Sequence, residues 1–219
     1  MKKIILLLLI IAASALNFCS TVEEKREKSL VVKDTDVNVI AKAIDLSLDD
    51  LSGKDLSGMD LRNADFENKN LSRANLSDSD LSNANMKNAN LESANLERAN
   101  LTNAVFTGAN LKNANFRRAN LTGVKMNGTN MSGTDLSGAR MVLSVINKSN
   151  CSGASFRAAQ FDDTNFTESI MIKVDFTFTN LNNVKFDGAS IHGSTINKAY
   201  KKMLEMQHVD GVDEVIWVD

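Results

Sequence analysis

The sequence predicts an all-β solenoid, a chain wound into stacked coils that turns a corner every five residues. Three observations predict it. From Leu46 to Ile196 every fifth residue is Leu, Phe, Met, Ile or Cys, 31 positions without exception. Two residues before each of these, 26 of the 31 are Ala, Ser, Thr or Val. The chain of 219 residues holds no proline, where average usage of about 5% predicts roughly ten.

The amino terminus reads as an address. Met1, Lys2 and Lys3 form a basic start, Ile4 to Ala13 an unbroken apolar run, and small residues follow at Ala12 to Ala15. This is the pattern of a secretory signal peptide over residues 1–18, too short for the ~20 residues of a membrane span. Leu16-Asn17-Phe18-Cys19 resembles the lipobox of bacterial lipoproteins, with Phe18 where that family usually has a small residue. The resemblance implies that Cys19 receives a diacylglyceryl group, becomes the mature first residue and anchors the protein to a membrane, the outer more than the inner. Ala13-Ser14-Ala15 also fits ordinary signal peptidase, which would release a soluble protein, periplasmic or secreted, beginning at Leu16. Residues 19–30, crowded with Glu23, Glu24, Lys25, Arg26, Glu27 and Lys28, lack an apolar face and read as a solvated tether.

The body, residues 44–198, is the five-residue register itself. The residue before each central one is Asn or Asp at 21 of 31 positions, and the residue two after it is Gly ten times and Asn seven. In extended chain, residues two apart point the same way, so the central and small positions both face inward. The Asn/Asp position then faces outward, and so do the two residues after the central one. Two outward residues in succession break the alternation once per repeat. That break is a corner, and Gly or Asn at its second position suits left-handed backbone. Successive coils then stack at about 4.8 Å, bonding through their peptide groups, and proline would remove such a donor.

Ala89-Asn90-Leu91-Glu92-Ser93 and Ala94-Asn95-Leu96-Glu97-Arg98 carry the tandem A-[ND]-L-x-x motif of the pentapeptide-repeat family, which residues 44–198 resemble throughout. The resemblance implies a right-handed, four-sided β-helix with 20 residues per coil. Residues 20 apart then stack, phenylalanines accumulate toward the carboxyl end, and Cys151 falls between Met131 and Met171 as a buried thiol. A solenoid needs its ends covered. Residues 31–43, with Val37, Val39, Ile40 and Ala43 after a helix-capping Asp36, read as the amino-terminal cap. Residues 199–219 read as the carboxyl-terminal cap: a helix carrying Tyr200, Met203 and Leu204, then an apolar tail, Val215-Ile216-Trp217-Val218, plugging the last coil.

The sequence closes off much chemistry. His192 and His208 stand at no metal-ligand spacing, and no Ser-His-Asp arrangement or phosphate loop is readable. We therefore expect no enzyme, no cofactor and no metal. Some cytoplasmic members of the family mimic DNA and bind a topoisomerase through a negatively charged rod. Residues 44–198 carry 17 acidic and 16 basic side chains, too mixed for a duplex-like potential or for nucleic acid as partner. The expectation is an exported scaffold that contacts a protein, an envelope polymer or a second copy of itself. The alternatives are that cytoplasmic DNA mimic, or a periplasmic enzyme with an unrecognised site. Outward positions that break the polar rule are the candidate partner patch: Val142, Leu143, Val145, Ile170, Ile172 and Phe178, with Val105 beside them. Of these, Val142, Leu143 and Val145 lie along one corner.

Overall fold

The computed structural model describes residues 45–219; the signal peptide, Cys19, the tether and the amino-terminal cap read from the sequence lie outside them. Over these residues the chain winds into coils of 20, and the outward Asn/Asp residues form parallel bridges at that interval, Asn70 to Asn90 to Asn110 to Asn130 along one side and likewise along the other three. We number the sides by their central residues: side one from Leu46, two from Leu51, three from Leu56 and four from Leu61. Central residues from Leu51 to Ile196 are buried, as are the small residues between them from Ala74 onward.

A repeat with Asn or Asp before its central residue uses its five backbone N–H groups in a way that explains its composition. In the repeat centred on Leu71, the Leu71 N–H donates to Asn90 O of the next coil (2.7 Å) and the Arg73 N–H to Glu92 O (2.9 Å). The Asn70 N–H donates back to Asp49 O (2.8 Å), and the Ala74 N–H closes the corner onto Leu71 O (3.0 Å). That leaves the Ser72 N–H, which donates to the Asn70 Oδ1 at 3.2 Å. The side chain before the central residue is therefore Asn or Asp because its oxygen takes the one N–H that no coil can. The corner residue is left-handed, Arg73 at φ 58° and Gly53 at φ 63°, as a type II turn requires at its third position.

The same Asn side chains also bond along the rod. On side two, Asn70 Nδ2 donates to Asp50 Oδ1 (3.1 Å), Asn90 to Asn70 (3.2 Å) and Asn110 to Asn90 (3.0 Å). An amide both donates and accepts, so such a ladder can begin on a residue that only accepts. Side-two, side-three and side-one ladders begin on Asp50, Asp55 and Asp65. Bonds from Ser52 and Asn70 hold the Asp50 carboxyl below its ordinary value.

Inside, the aromatic residues gather toward the carboxyl end, where Phe156 stacks on Phe176 (5.3 Å, 12°) and Phe166 on Phe186 (5.6 Å, 10°). Small positions there are often Ser or Thr, and their buried hydroxyls donate to main-chain carbonyls, as Ser144 does to Leu121 O (2.8 Å) and Ser169 to Ile146 O (2.8 Å). No hydroxyl of this kind is left to desolvate unpaired.

Beyond Ile196 the chain departs from the register. Strand β1 (Thr195–Asn197) leads through a 3-10 turn (Lys198–Tyr200) into helix α1 (Lys201–Met206), and a second 3-10 turn (Val212–Glu214) leads to strand β2 (Ile216–Val218). The segment meets each side of the last coil differently. Leu204 enters the core, the Tyr200 hydroxyl donates to Asn180 Oδ1 (3.2 Å) on side four, and β2 pairs in parallel with β1 on side three. On side one, Gln207 takes the place of a coil: its Oε1 accepts from the Phe186 N–H (2.7 Å) and its Nε2 donates to Val184 O (3.1 Å). The tail corrects one expectation. Val215 is buried, but Ile216 is exposed and Trp217 only half-buried, because β2 extends the ladder as an edge strand instead of inserting as a plug.

Candidate functional site

With 20 residues per coil, a residue's number fixes its side and corner, and the apolar outward residues resolve into three places. Val142 and Leu143 turn the corner between sides four and one, and Val145 lies on side one directly after it. Leu143 is exposed while Val142 and Val145 are half-buried. Ile170 and Ile172 flank Met171 on side two. Phe178 stands alone at the corner of sides three and four, 74% exposed. Val105 lies two coils from Val145 on side one, with Lys125 between them. The six residues therefore form no single patch: Val142, Leu143 and Val145 are brought together at one corner, Ile170 and Ile172 stand together on side two, and Phe178 is apart from both.

Two of these residues occupy strained backbone. Leu143 (φ 58°) and Phe178 (φ 59°) hold the left-handed corner position, which costs a bulky residue roughly 1–2 kcal/mol. Neither ring nor chain is repaid by core burial. Val145 and Ile170 replace Asn/Asp, so the following N–H groups lose their side-chain acceptor.

Cys151 is buried, its Sγ 4.0 Å from the Met131 Sδ. Burial pushes its thiol up to about 12, so it carries no thiolate at neutral pH. His192 sits at the carboxyl-terminal end, its Nε2 2.9 Å from Asp210 Oδ2 and its Nδ1 3.1 Å from Glu214 Oε1. Those bonds, Asp210 first and then Glu214, hold its pKa above the ordinary value against a smaller opposing effect of desolvation. Among the described residues no group of three or more His, Cys, Asp or Glu is placed to hold a metal ion.

Charge is sorted along the rod. Residues 45–80 carry nine acidic and four basic side chains, residues 81–160 three acidic and nine basic, and residues 161–219 ten acidic and five basic. The near-neutral total thus conceals a basic waist between acidic ends. Within the waist the two basic residue types also separate. All five arginines, Arg98, Arg117, Arg118, Arg140 and Arg157, fall on side four or the corner leading to it, and the four lysines fall elsewhere.

Eight copies of the family model for pentapeptide repeats match residues 50–78, 70–108, 99–138 and 149–188. The chain belongs to the pentapeptide-repeat family. Its β-helix accordingly takes the family's right-handed sense. Solved structures similar to it include HetL, a pentapeptide-repeat protein involved in heterocyst differentiation regulation from the cyanobacterium Nostoc sp. strain PCC 7120, at 19% identity, covering 76% of this chain and 85% of that one with a TM-score of 0.49. QnrB1, a plasmid-mediated fluoroquinolone resistance protein studied after trypsin treatment, is 22% identical, covering 74% and 85% with a TM-score of 0.35. Rfr23 from the cyanobacterium Cyanothece 51142 is 18% identical, covering 73% and 97% with a TM-score of 0.25. No curated protein matches the chain.

In this pentapeptide-repeat protein the arginines are the residues that reading along the sequence missed. They are scattered in number and become neighbours only on a 20-residue coil. The available signal was their position modulo 20. Arg98 is neutralised by a fork onto Asp78 (both bonds 2.7 Å) and by Glu97 (2.8 Å), and Arg117 pairs with Asp135 (3.2 Å). Arg140 Nε reaches Thr122 Oγ1 (3.3 Å), and Arg157 Nη1 donates to Thr177 Oγ1 (3.0 Å) with its guanidinium 4.4 Å from the centre of the Phe178 ring. Among the described residues, Arg118, Arg140 and Arg157 make no ion pair.

Proposed function

We propose that the protein is an exported bacterial lipoprotein, anchored through Cys19, that acts at the cell envelope as a binding or structural scaffold and not as a catalyst. The observation that carries the scaffold reading is the filled core: every central side chain from Leu51 to Ile196 is buried, so the chemistry lies on long outer sides whose polar groups are largely spent on each other. Residues 1–19 support the export reading through their basic start, apolar run and lipobox-like Leu16 to Cys19. The partner is a protein, an envelope polymer or a second copy.

The alternation of charge speaks against the cytoplasmic DNA-mimic alternative, because a basic waist would repel a surface that binds duplex DNA. The test is the intact mass of the mature amino terminus from fractionated native cells, beside a Cys19→Ala variant. A lipid-modified Cys19 in the membrane fraction, lost in the variant, is the expected result. An unmodified terminus at Leu16 would make the protein soluble, and an intact Met1 in the cytosol would overturn the export reading.

A further inference from the structure

We infer that the corner between sides three and four, with side four, is a binding site for an anionic glycan, a sugar polymer carrying carboxylate or phosphate groups. The inference deepens the envelope-scaffold reading and rests on it for the ligand's availability, while the site itself stands on the geometry of four successive coils.

Three columns make the surface. The first corner position stacks Arg117, Ser137, Arg157 and Thr177; the second stacks Arg118, Gly138, Ala158 and Phe178; side four stacks Asn120, Arg140, Gln160 and Asn180. At about 4.8 Å per coil the grid runs roughly 14 Å along the rod. It contains four guanidinium groups and no carboxylate. Gly138 and Ala158 leave its centre low between Arg118 and Phe178. Around that centre stand the three arginines without an ion pair, which present planar forks suited to carboxylate or phosphate oxygens.

Phe178 points to the kind of anion. Stability does not account for it: the ring is 74% exposed, the backbone is left-handed at φ 59°, and the described ring contact is the Arg157 guanidinium at 4.4 Å. An outlier of this kind, held without structural return, marks a functional position. An exposed aromatic face beside exposed amides (Gln160, Asn180) and forks offers an apolar platform, hydroxyl partners and charge partners within one short strip. A sugar unit has an apolar face, hydroxyls and, in an acidic glycan, an anion.

Other polyanions fit less well. The arginine strip ends against Asp80 and the Arg98-paired Asp78 toward the amino terminus and against Asp162 and Asp163 at the next corner. A duplex or a membrane plane broad enough to cover the waist meets those carboxylates. An extended acidic peptide would seek an unpaired strand edge, but backbone groups at the centre of these columns bond within the stack, the Gly138 N–H to Arg157 O, the Ala158 N–H to Thr177 O and the Gln160 N–H to Ala139 O.

Binding of the full chain in detergent is measured against polygalacturonate, phosphomannan, uncharged dextran and a short DNA duplex. Polygalacturonate or phosphomannan binds and dextran does not, and the tighter of the two identifies the anion. Arg118→Gln/Arg140→Gln/Arg157→Gln loses at least tenfold in affinity, whereas Lys87→Gln/Lys112→Gln/Lys148→Gln, which removes equal charge from other sides, stays within twofold. Phe178→Gly loses severalfold with charge unchanged and melting temperature not lowered, which separates binding from folding. Equal losses in the two triple variants, tighter binding of the duplex, or no binding of either acidic glycan would overturn the site. A cytosolic protein with an intact Met1 would instead remove the envelope reading while leaving these affinities as measured.

Discussion

The coils from Asn70 to Asn130 and those from Arg140 to Ile196 share one backbone and are held together in opposite ways. In the first group the core is mostly leucine over alanine, and the outer sides carry amide ladders such as Asn130 on Asn110 on Asn90. In the second, the ladder positions become Arg140, Val145, Gln160, Ile170 and Lys185, and the core becomes phenylalanine stacked along and across the rod. Where the ladder breaks on side one, at Lys125 and Val145, Asn127 Oδ1 and Asn147 Oδ1 are buried without a partner. Order supplied outside the amino-terminal coils is supplied inside the carboxyl-terminal ones, and this frees the outer sides of the later coils for other chemistry. Hydrogen-bonded columns demand Asn or Asp at every step; an aromatic core makes no demand on the surface.

Mutations can break this comparison from either side. The largest effect belongs to the aromatic stack. Phe166→Ala removes a ring packed against Phe156, Phe161, Phe176 and Phe186 and should cost about 3–5 kcal/mol in denaturant unfolding. Asn90→Ala should cost about 1–3 kcal/mol, because Asn90 donates to Asn70 and accepts from Asn110 and the Glu92 N–H. A cost below that of an ordinary surface substitution would show that the ladders decorate the amino-terminal coils and do not hold them. In the reverse sense, Leu143→Gly should raise stability by about 1 kcal/mol by relieving left-handed strain, and Val145→Asn by about 0.5–1 kcal/mol by restoring an acceptor for the Asn147 N–H. Thermal melts of the two variants, separate and combined, check both.

The smallest effect is one of pH at the carboxyl-terminal end. His192 has a folded pKa above its ordinary 6.5, so the folded protein binds the proton more tightly than the unfolded chain. The stabilisation is fully present below about pH 6.5 and is lost as the pH rises through the folded value. His192→Gln should therefore lower the melting temperature more at pH 5.5 than at pH 8.5. A difference of the same size at both values would assign His192 a packing role instead.

How much was legible depended on range. Phase, corner and burial could be read from five residues at a time, because each is set by alternation and by local turn chemistry. Where the small position holds a charged residue the structure decided the outcome: Asp49 and Lys54 lie exposed in the first described coils, and Lys69 half-buries itself with its ammonium on Ser47 O and Leu48 O. The use of Asn and Asp was legible as a pattern but not as a cause, since the N–H left over in each corner appears only when the other four are accounted for.

The sequence by itself determined the period, the inward side chains, the left-handed corners and the exclusion of proline, all consequences of backbone sterics and of one donor per residue. Only the tertiary structure decided which residues stand above one another. Gln207 standing in for a coil, β2 as an edge strand, and the arginines gathered on one corner depend on contacts about 20 residues apart, and a five-residue motif has no means of specifying what lies one full coil away.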